Sequence, residues 1–188
     1  MPRRRDQSAV EPALEDLERM APYLPPDGTL TPGNTSALHD GAAFAVVVSE
    51  RIWTSLGKPP ALKLVASATQ GVASENEASA PLEAMHKLYT RLNGSKPGDI
   101  DLVEMSETSA AQAIALADRF AIDPDRINPD GGAIVRGHPL GAAGAVLVVR
   151  LFTQMARARG KASGPRHGVA TLGTIGGMGL AALFEAVQ

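Results

Sequence analysis

The sequence predicts an α/β fold, and three observations carry that prediction. From about residue 60 onward, short β-type apolar runs alternate with helix-type runs. Gly and Pro punctuate nearly every join between them. The chain of 188 residues also holds 31 Ala and 19 Gly but only 4% aromatic residues. A core of such small side chains implies close backbone approach, as where helices lie flat on a sheet.

Taken in order, residues 1–20 read as a short amphipathic helix, with Val10, Leu14, Leu17 and Met20 at helical spacing, stopped by Pro22, Pro25 and Pro26. Residues 41–49 contain Ala-Ala-Phe-Ala-Val-Val-Val, a continuous apolar run expected to be a strand buried on both faces. Residues 61–67 form a second strand candidate. Residues 80–93 form a helix with Leu82, Met85, Leu88 and Leu92 on one face, closed by Gly94 and Pro97-Gly98. A strand over 100–105, an Ala-rich helix over 110–120 and a third strand starting at Ile127 follow. Residues 140–159 read as a long helix whose stripe is Leu140, Leu147, Val148, Leu151, Phe152 and Met155. Residues 168–172 and 179–184 read as a closing antiparallel pair.

Composition excludes several functions. With 18 basic and 20 acidic side chains the formal charge is −2, which lacks the basic surplus of a general nucleic-acid or membrane-surface binder. There is no cysteine, so disulfides, thiolate metal sites and a Cys nucleophile are all absent from this chain. The four His are scattered, and no metal is expected. The basic start, Met1-Pro-Arg-Arg-Arg5, is followed by acids rather than an apolar stretch and does not resemble a secretory signal. A cytoplasmic location is the expectation.

The richest stretch is Asn128-Pro-Asp-Gly-Gly-Ala-Ile-Val-Arg-Gly-His-Pro-Leu-Gly-Ala-Ala-Gly144. Gly131-Gly132 permits a turn or a close approach, and Pro139 suits a helix start. His138 is thereby expected at a helix N-terminus, where positive potential favours the neutral imidazole. A neutral His can donate to an oxyanion or accept a nucleophile's proton; the plainer alternative is a turn cap.

This stretch resembles the C-terminal signature of the thiolases, the thioester-dependent Claisen-condensing and cleaving enzymes. Three further segments agree in order and spacing. Gly33-Asn-Thr-Ser-Ala-Leu-His-Asp-Gly-Ala-Ala43 is similar to the family's G-N-x-S-x-x-x-D-G-A-A. Met105-Ser-Glu-Thr-Ser-Ala110 stands in place of N-E-A-F-A, and Ala170-Thr-Leu-Gly-Thr-Ile-Gly-Gly-Met-Gly179 stands in place of A-T-L-C-x-G-G-G-M-G. The resemblance implies a βαβαβαββ unit, half of a five-layered αβαβα fold. Residues 1–57 match the last segment of the first unit, final strand included, and residues 58–188 match the whole second unit. The part that carries the nucleophilic Cys is missing, and Met1 just before the matched region reads as a genuine start.

What the resemblance implies for the site is mixed. His138 is a full catalytic match. The family's second catalytic Cys falls on Gly173 and its oxyanion-hole Asn on Ser106. Glu107 keeps an acidic position, either as an orienting partner near the site or as a cap for the helix at 110. Gly173, Gly176 and Gly177 are candidates for backbone N–H groups of an oxyanion hole. Ser36 matches a contact to the pantetheine arm of coenzyme A, with a plain turn serine as the alternative. Thr174 reads as a turn hydroxyl.

The functional expectation is an acyltransferase subunit acting on acyl-CoA or acyl-carrier thioesters. A second chain would supply the N-terminal half with its Cys, in a dimer of heterodimers, with no metal or bound cofactor expected. Loss of the thiol at Gly173 points to chemistry needing no α-proton base, or to a base from the partner. The alternatives are a non-catalytic scaffold subunit and a Cys-independent aldol-type lyase acting on acyl-CoA.

Overall fold

The computed structural model describes residues 12–92, 100–157 and 164–187. Val10, the predicted stop at Gly94 and Pro97-Gly98, and the last residues of the helix predicted over 140–159 lie outside them. Among the described residues four strands form one mixed sheet in the order β1-β4-β3-β2. They are β1 (Ala61–Gly71), β2 (Leu102–Met105), β3 (His167–Thr174) and β4 (Met178–Val187). β2 runs parallel to β3, and the other two pairings are antiparallel.

Among the described residues six α-helices accompany the sheet: α1 (Leu14–Glu18), α2 (Glu50–Ser55), α3 (Ala80–Arg91), α4 (Ala110–Phe120), α5 (Ala133–Arg136) and α6 (Ala143–Leu151). α4 starts where the Ser109 hydroxyl accepts the Gln112 N–H, which assigns the cap to Ser109 rather than to Glu107. It ends at Ala121 with a left-handed residue, φ 51°.

Alternation along the strands sorts the core into two layers. Val103, Met105, Val169, Ala181 and Leu183 face α3 and α4, packing with Met85, Leu88, Leu116 and Phe120. Leu102, Ala170 and Ala186 face the other way, onto Leu147, Leu151 and Met155. The domain is therefore a three-layer αβα sandwich, as the alternating elements predict. Leu140–Arg157 is a helical run of 18 residues with mean hydropathy 1.2, long and apolar enough to match a bilayer. Its stripe is instead applied to the sheet, and it passes from a 3₁₀ turn through α6 into a π-helical turn, Phe152–Arg157.

Three expectations need correction. The third strand at Ile127 is a single parallel bridge to Val103, because the chain turns away at Asn128 (φ 46°). β1 is longer than the apolar pattern indicated, since its polar end pairs fully with β4 as far as Gly71↔Met178, with Val65 bulged out between Leu64 and Ala66. Residues 41–49 are neither buried nor in a sheet: Phe44, Val46 and Val47 are 91%, 90% and 92% exposed. The described residues offer this run no neighbouring strand. Its apolar character on both faces fits a central strand that lacks its sheet.

In the chain alone, the amides of residues 43–48 should exchange with deuterium at unprotected rates. Phe44→Ser should cost under about 0.5 kcal/mol in urea unfolding, as for an exposed position. Strong protection of these amides would show that the run is paired after all.

Candidate functional site

The parallel strands β2 and β3 end on the same edge of the sheet, the place where α/β proteins tend to gather their reactive groups. Beyond that edge the Ser106 N–H donates to the Thr171 carbonyl at 3.0 Å, which carries the pairing one residue further. Ser106 is buried, and its Oγ accepts the Gly173 N–H at 3.4 Å. Ser106 and Gly173, two of the positions where the sequence departs from the motifs it resembles, therefore touch. Gly173 has no positive φ, and a Cβ built there would meet the Pro81 ring at 3.2 Å, tight but not blocked.

His138 is presented by a second strap. Its N–H donates to the Ala37 carbonyl at 2.9 Å, and its own carbonyl accepts the His39 N–H at 3.4 Å, a one-residue parallel bridge to the 37–39 segment. Gly137 makes this possible. Its φ is +91°, and a Cβ there would come within 2.2 Å of the His39 ring. His138 is half-buried, and burial lowers its pKa below the ordinary 6.5. The neutral imidazole was expected, but desolvation is its cause. Pro139 holds the N-cap of a 3₁₀ turn, Leu140–Ala142, which separates His138 from α6.

The other acidic candidate sits behind this strap. Glu107 Oε2 accepts the Ile134 N–H at 3.2 Å, at the start of α5. Burial raises its pKa, while the hydrogen bonds from Ile134 and Asn128 oppose the rise. A Cβ on Gly132 would lie 2.2 Å from that carboxylate oxygen and 2.4 Å from Asn128 Nδ2, so the backbone must pass there as glycine. Asn128 itself is buried and grips the end of β2. Its Oδ1 accepts the Met105 N–H at 2.8 Å, and its Nδ2 donates to the Met105 carbonyl at 3.2 Å. The side-chain amide thus replaces the ladder that the missing third strand would have continued.

Between these elements opens a cleft of about 620 Å³, within the usual range for small-molecule sites. His138, Ser106, Gly173 and Thr174 line it together with Glu77 and Gln112. Of the sequence candidates, His138, Ser106 and Gly173 meet there. Glu107, Ser36, Gly176 and Gly177 are not part of its lining. The Ser36 N–H donates to the Thr108 carbonyl at 3.1 Å. The Gly176 N–H (φ +92°) donates to Glu77 Oε2 at 3.1 Å, and the Gly177 N–H (φ +82°) to the Thr174 carbonyl at 3.3 Å. Among the described residues no three His, Asp or Glu side chains gather as a metal site would require. Sequence reasoning passed over Asn128, Gln112 and Glu77. Only Asn128 left a signal, as a residue that tolerates positive φ before Pro-Asp-Gly-Gly.

Comparison with known proteins agrees with this architecture. The family model described as "Thiolase, C-terminal domain" matches residues 58–186. An acetyl-CoA acetyltransferase of Shinella zoogloeoides is 40% identical over 174 residues, covering 93% of this chain and 43% of that protein. A beta-ketoadipyl-CoA thiolase of Pseudomonas putida is 37% identical, covering 94% and 43%. The crystal structure of the Bacillus anthracis acetyl-CoA acetyltransferase superposes with a TM-score of 0.83 at 33% identity, covering 92% of this chain and 42% of that one. The chain thus spans less than half the length of the curated relatives it matches.

Two measurements check this geometry. Asn128→Ala should destabilise the fold by about 2–4 kcal/mol in urea unfolding, because it strands two backbone groups of Met105 and puts a Cβ-bearing Ala at positive φ. Asn128→Gly should recover about 1 kcal/mol of that loss. The His138 ring should titrate below 6.5 by NMR. The unfolded chain then binds the proton more readily than the folded one, so stability should fall as pH drops below 6.5, and His138→Asn should remove that part of the dependence.

Proposed function

This chain belongs to the thiolase family, and from that premise we propose that it is one half of an acyl-transferring assembly that acts on acyl-CoA or acyl-carrier thioesters. Residues 1–57 are the last segment of a thiolase first unit and residues 58–188 the second unit. A partner chain contributes the remaining half with its nucleophilic Cys, and the assembly is a dimer of such heterodimers in the cytoplasm. The observation that carries this reading is the neutral, half-buried His138 on the wall of the cleft beside Ser106 and Gly173. A pure scaffold has no need to strap an imidazole at that place.

In this reading the partner's Cys thiol gives up its proton as its sulfur attacks the thioester carbonyl, the C–S bond to coenzyme A breaks, and that proton is returned to coenzyme A, which leaves as its thiol. The acyl group then passes from the partner to an acceptor, with C–C bond formation or plain acyl transfer as the outcome. His138 takes the nucleophile's proton or donates to the oxygen that gains charge. Glu107 keeps the 131–138 loop in register through Ile134, which makes it a positioning residue. Ser106 fixes the backbone at Gly173. The backbone N–H groups of Gly173, Gly176 and Gly177 would have to exchange their present acceptors to hold an oxyanion. Ser36 is kept as a contact for the pantetheine arm, reached through its strand-like link to Thr108. Coenzyme A enters only as a thioester substrate, with no metal.

The unpaired run at 41–49 supports a partner. One observation favours a scaffold instead: the two positions where the family carries an Asn and a Cys are Ser106 and Gly173, and they bond to each other.

His138→Asn should cut acyl transfer by the assembly by 10²–10³-fold, the loss of roughly 2.7–4 kcal/mol that removing one oxyanion donor produces. Co-purification of the two chains should be unchanged. Undiminished turnover in this variant would favour the scaffold reading.

A further inference from the structure

We propose that Glu77 is the second proton-transfer group of the cleft, serving where Gly173 has no side chain to titrate. This rests on the thioester reading and adds a residue of this chain to it. Of the described residues lining the cleft, only Glu77 and His138 carry ionisable side chains. The rest are hydroxyls, an amide, glycines and apolar side chains.

The fold sets the position of this carboxylate. Glu77 lies in the 3₁₀ segment Ser74–Ser79 that joins β1 to α3. At its start, the segment is tied to the β3–β4 turn, where the Val72 N–H donates to the Gly177 carbonyl at 2.7 Å. At its end, Gln112 Nε2 donates to the Ala78 carbonyl at 2.8 Å. Between these ties, the Glu77 carbonyl oxygen lies 3.9 Å from the place a Gly173 Cβ would occupy. Its Oε2 accepts the Gly176 N–H at 3.1 Å. The residue therefore runs alongside 173–176, anchored through one carboxylate oxygen. Oε1 has no hydrogen-bond partner among the described residues.

The chemistry then balances without another co-reactant. The Glu77 carboxylate takes a proton from the α-carbon of an acyl thioester. The C–H electron pair moves into the enolate, whose oxygen receives a hydrogen bond from the neutral His138 imidazole. The enolate carbon attacks the acyl group held on the partner's sulfur, the new C–C bond forms, and the C–S bond breaks. The sulfur leaves as thiolate and recovers the proton from Glu77, which returns to its carboxylate. A carboxylate is a weak base for such a carbon, so the step depends on the hydrogen bond to the enolate oxygen.

The test uses the assembly of this chain with its partner, incubated with acetyl-CoA in D2O. Two readouts are followed: release of coenzyme A, and deuterium uptake at the α-carbon by mass spectrometry. Glu77→Gln keeps an oxygen that accepts the Gly176 N–H but cannot take a proton. It should release coenzyme A normally and lose α-exchange by 10²–10⁴-fold, while Glu75→Gln keeps both. Wild-type exchange in Glu77→Gln would overturn the proposal, as would a wild type that releases coenzyme A without exchanging. Loss of both readouts in Glu77→Gln would also overturn it, by making Glu77 a support for the turn. Absence of coenzyme A release from the wild type would instead strike the thioester reading itself.

Discussion

Four residues of parallel pairing, Leu102–Met105 against Gly168–Thr171, bring the carboxyl ends of β2 and β3 side by side, and the cleft begins where that ladder stops. Among the described residues the edge beyond β2 is held by no strand, only by the bridge at Ile127. Asn128 supplies the missing restraint by bonding both backbone groups of Met105 with one side-chain amide. Ser106 follows directly, and its hydroxyl meets the Gly173 N–H. Without the Asn128 clamp, the segment from Ser106 to Ser109 would lose its register against the turn after β3, and the two walls of the cleft would part.

Charge is distributed around this edge with a clear division. Glu104 is fully buried on β2, where Arg150 and Gln154 satisfy it at 2.6 and 2.9 Å, so it serves the packing of α6. Glu107, three residues further on, is desolvated, and its pKa rises because the hydrogen bonds from Ile134 and Asn128 and the charge of Arg150 offset the burial only in part. On the cleft side, burial keeps the His138 imidazole neutral. The site thus has an imidazole suited to hydrogen bonding and an anchored carboxylate at Glu77, with no permanent cation among its lining residues.

Much of this was legible in the sequence. The apolar stripes of α3 and α4 and the closing strand pair follow from periodicity, because each buries one face against the sheet. His138 was legible from its glycines, since Gly132 and Gly137 stand where a Cβ would strike Glu107 and the His39 ring. The failures have physical causes. The run at 41–49 has strand composition, yet composition does not provide a neighbour to pair with. The third strand was lost to one left-handed residue, Asn128. Glu77 sits in a polar connection with no periodicity, and only the folded chain carries it to the β3–β4 turn.

The central claim is that this chain shapes an acyl-transfer site whose nucleophile lies on another chain. Intact-mass spectrometry of the assembly, quenched in acid shortly after mixing with acetyl-CoA, tests it most directly. The account requires an acetyl adduct on the partner chain and none on this one, which has no cysteine to carry a thioester. An adduct on this chain, or none on either while coenzyme A is released, would contradict it.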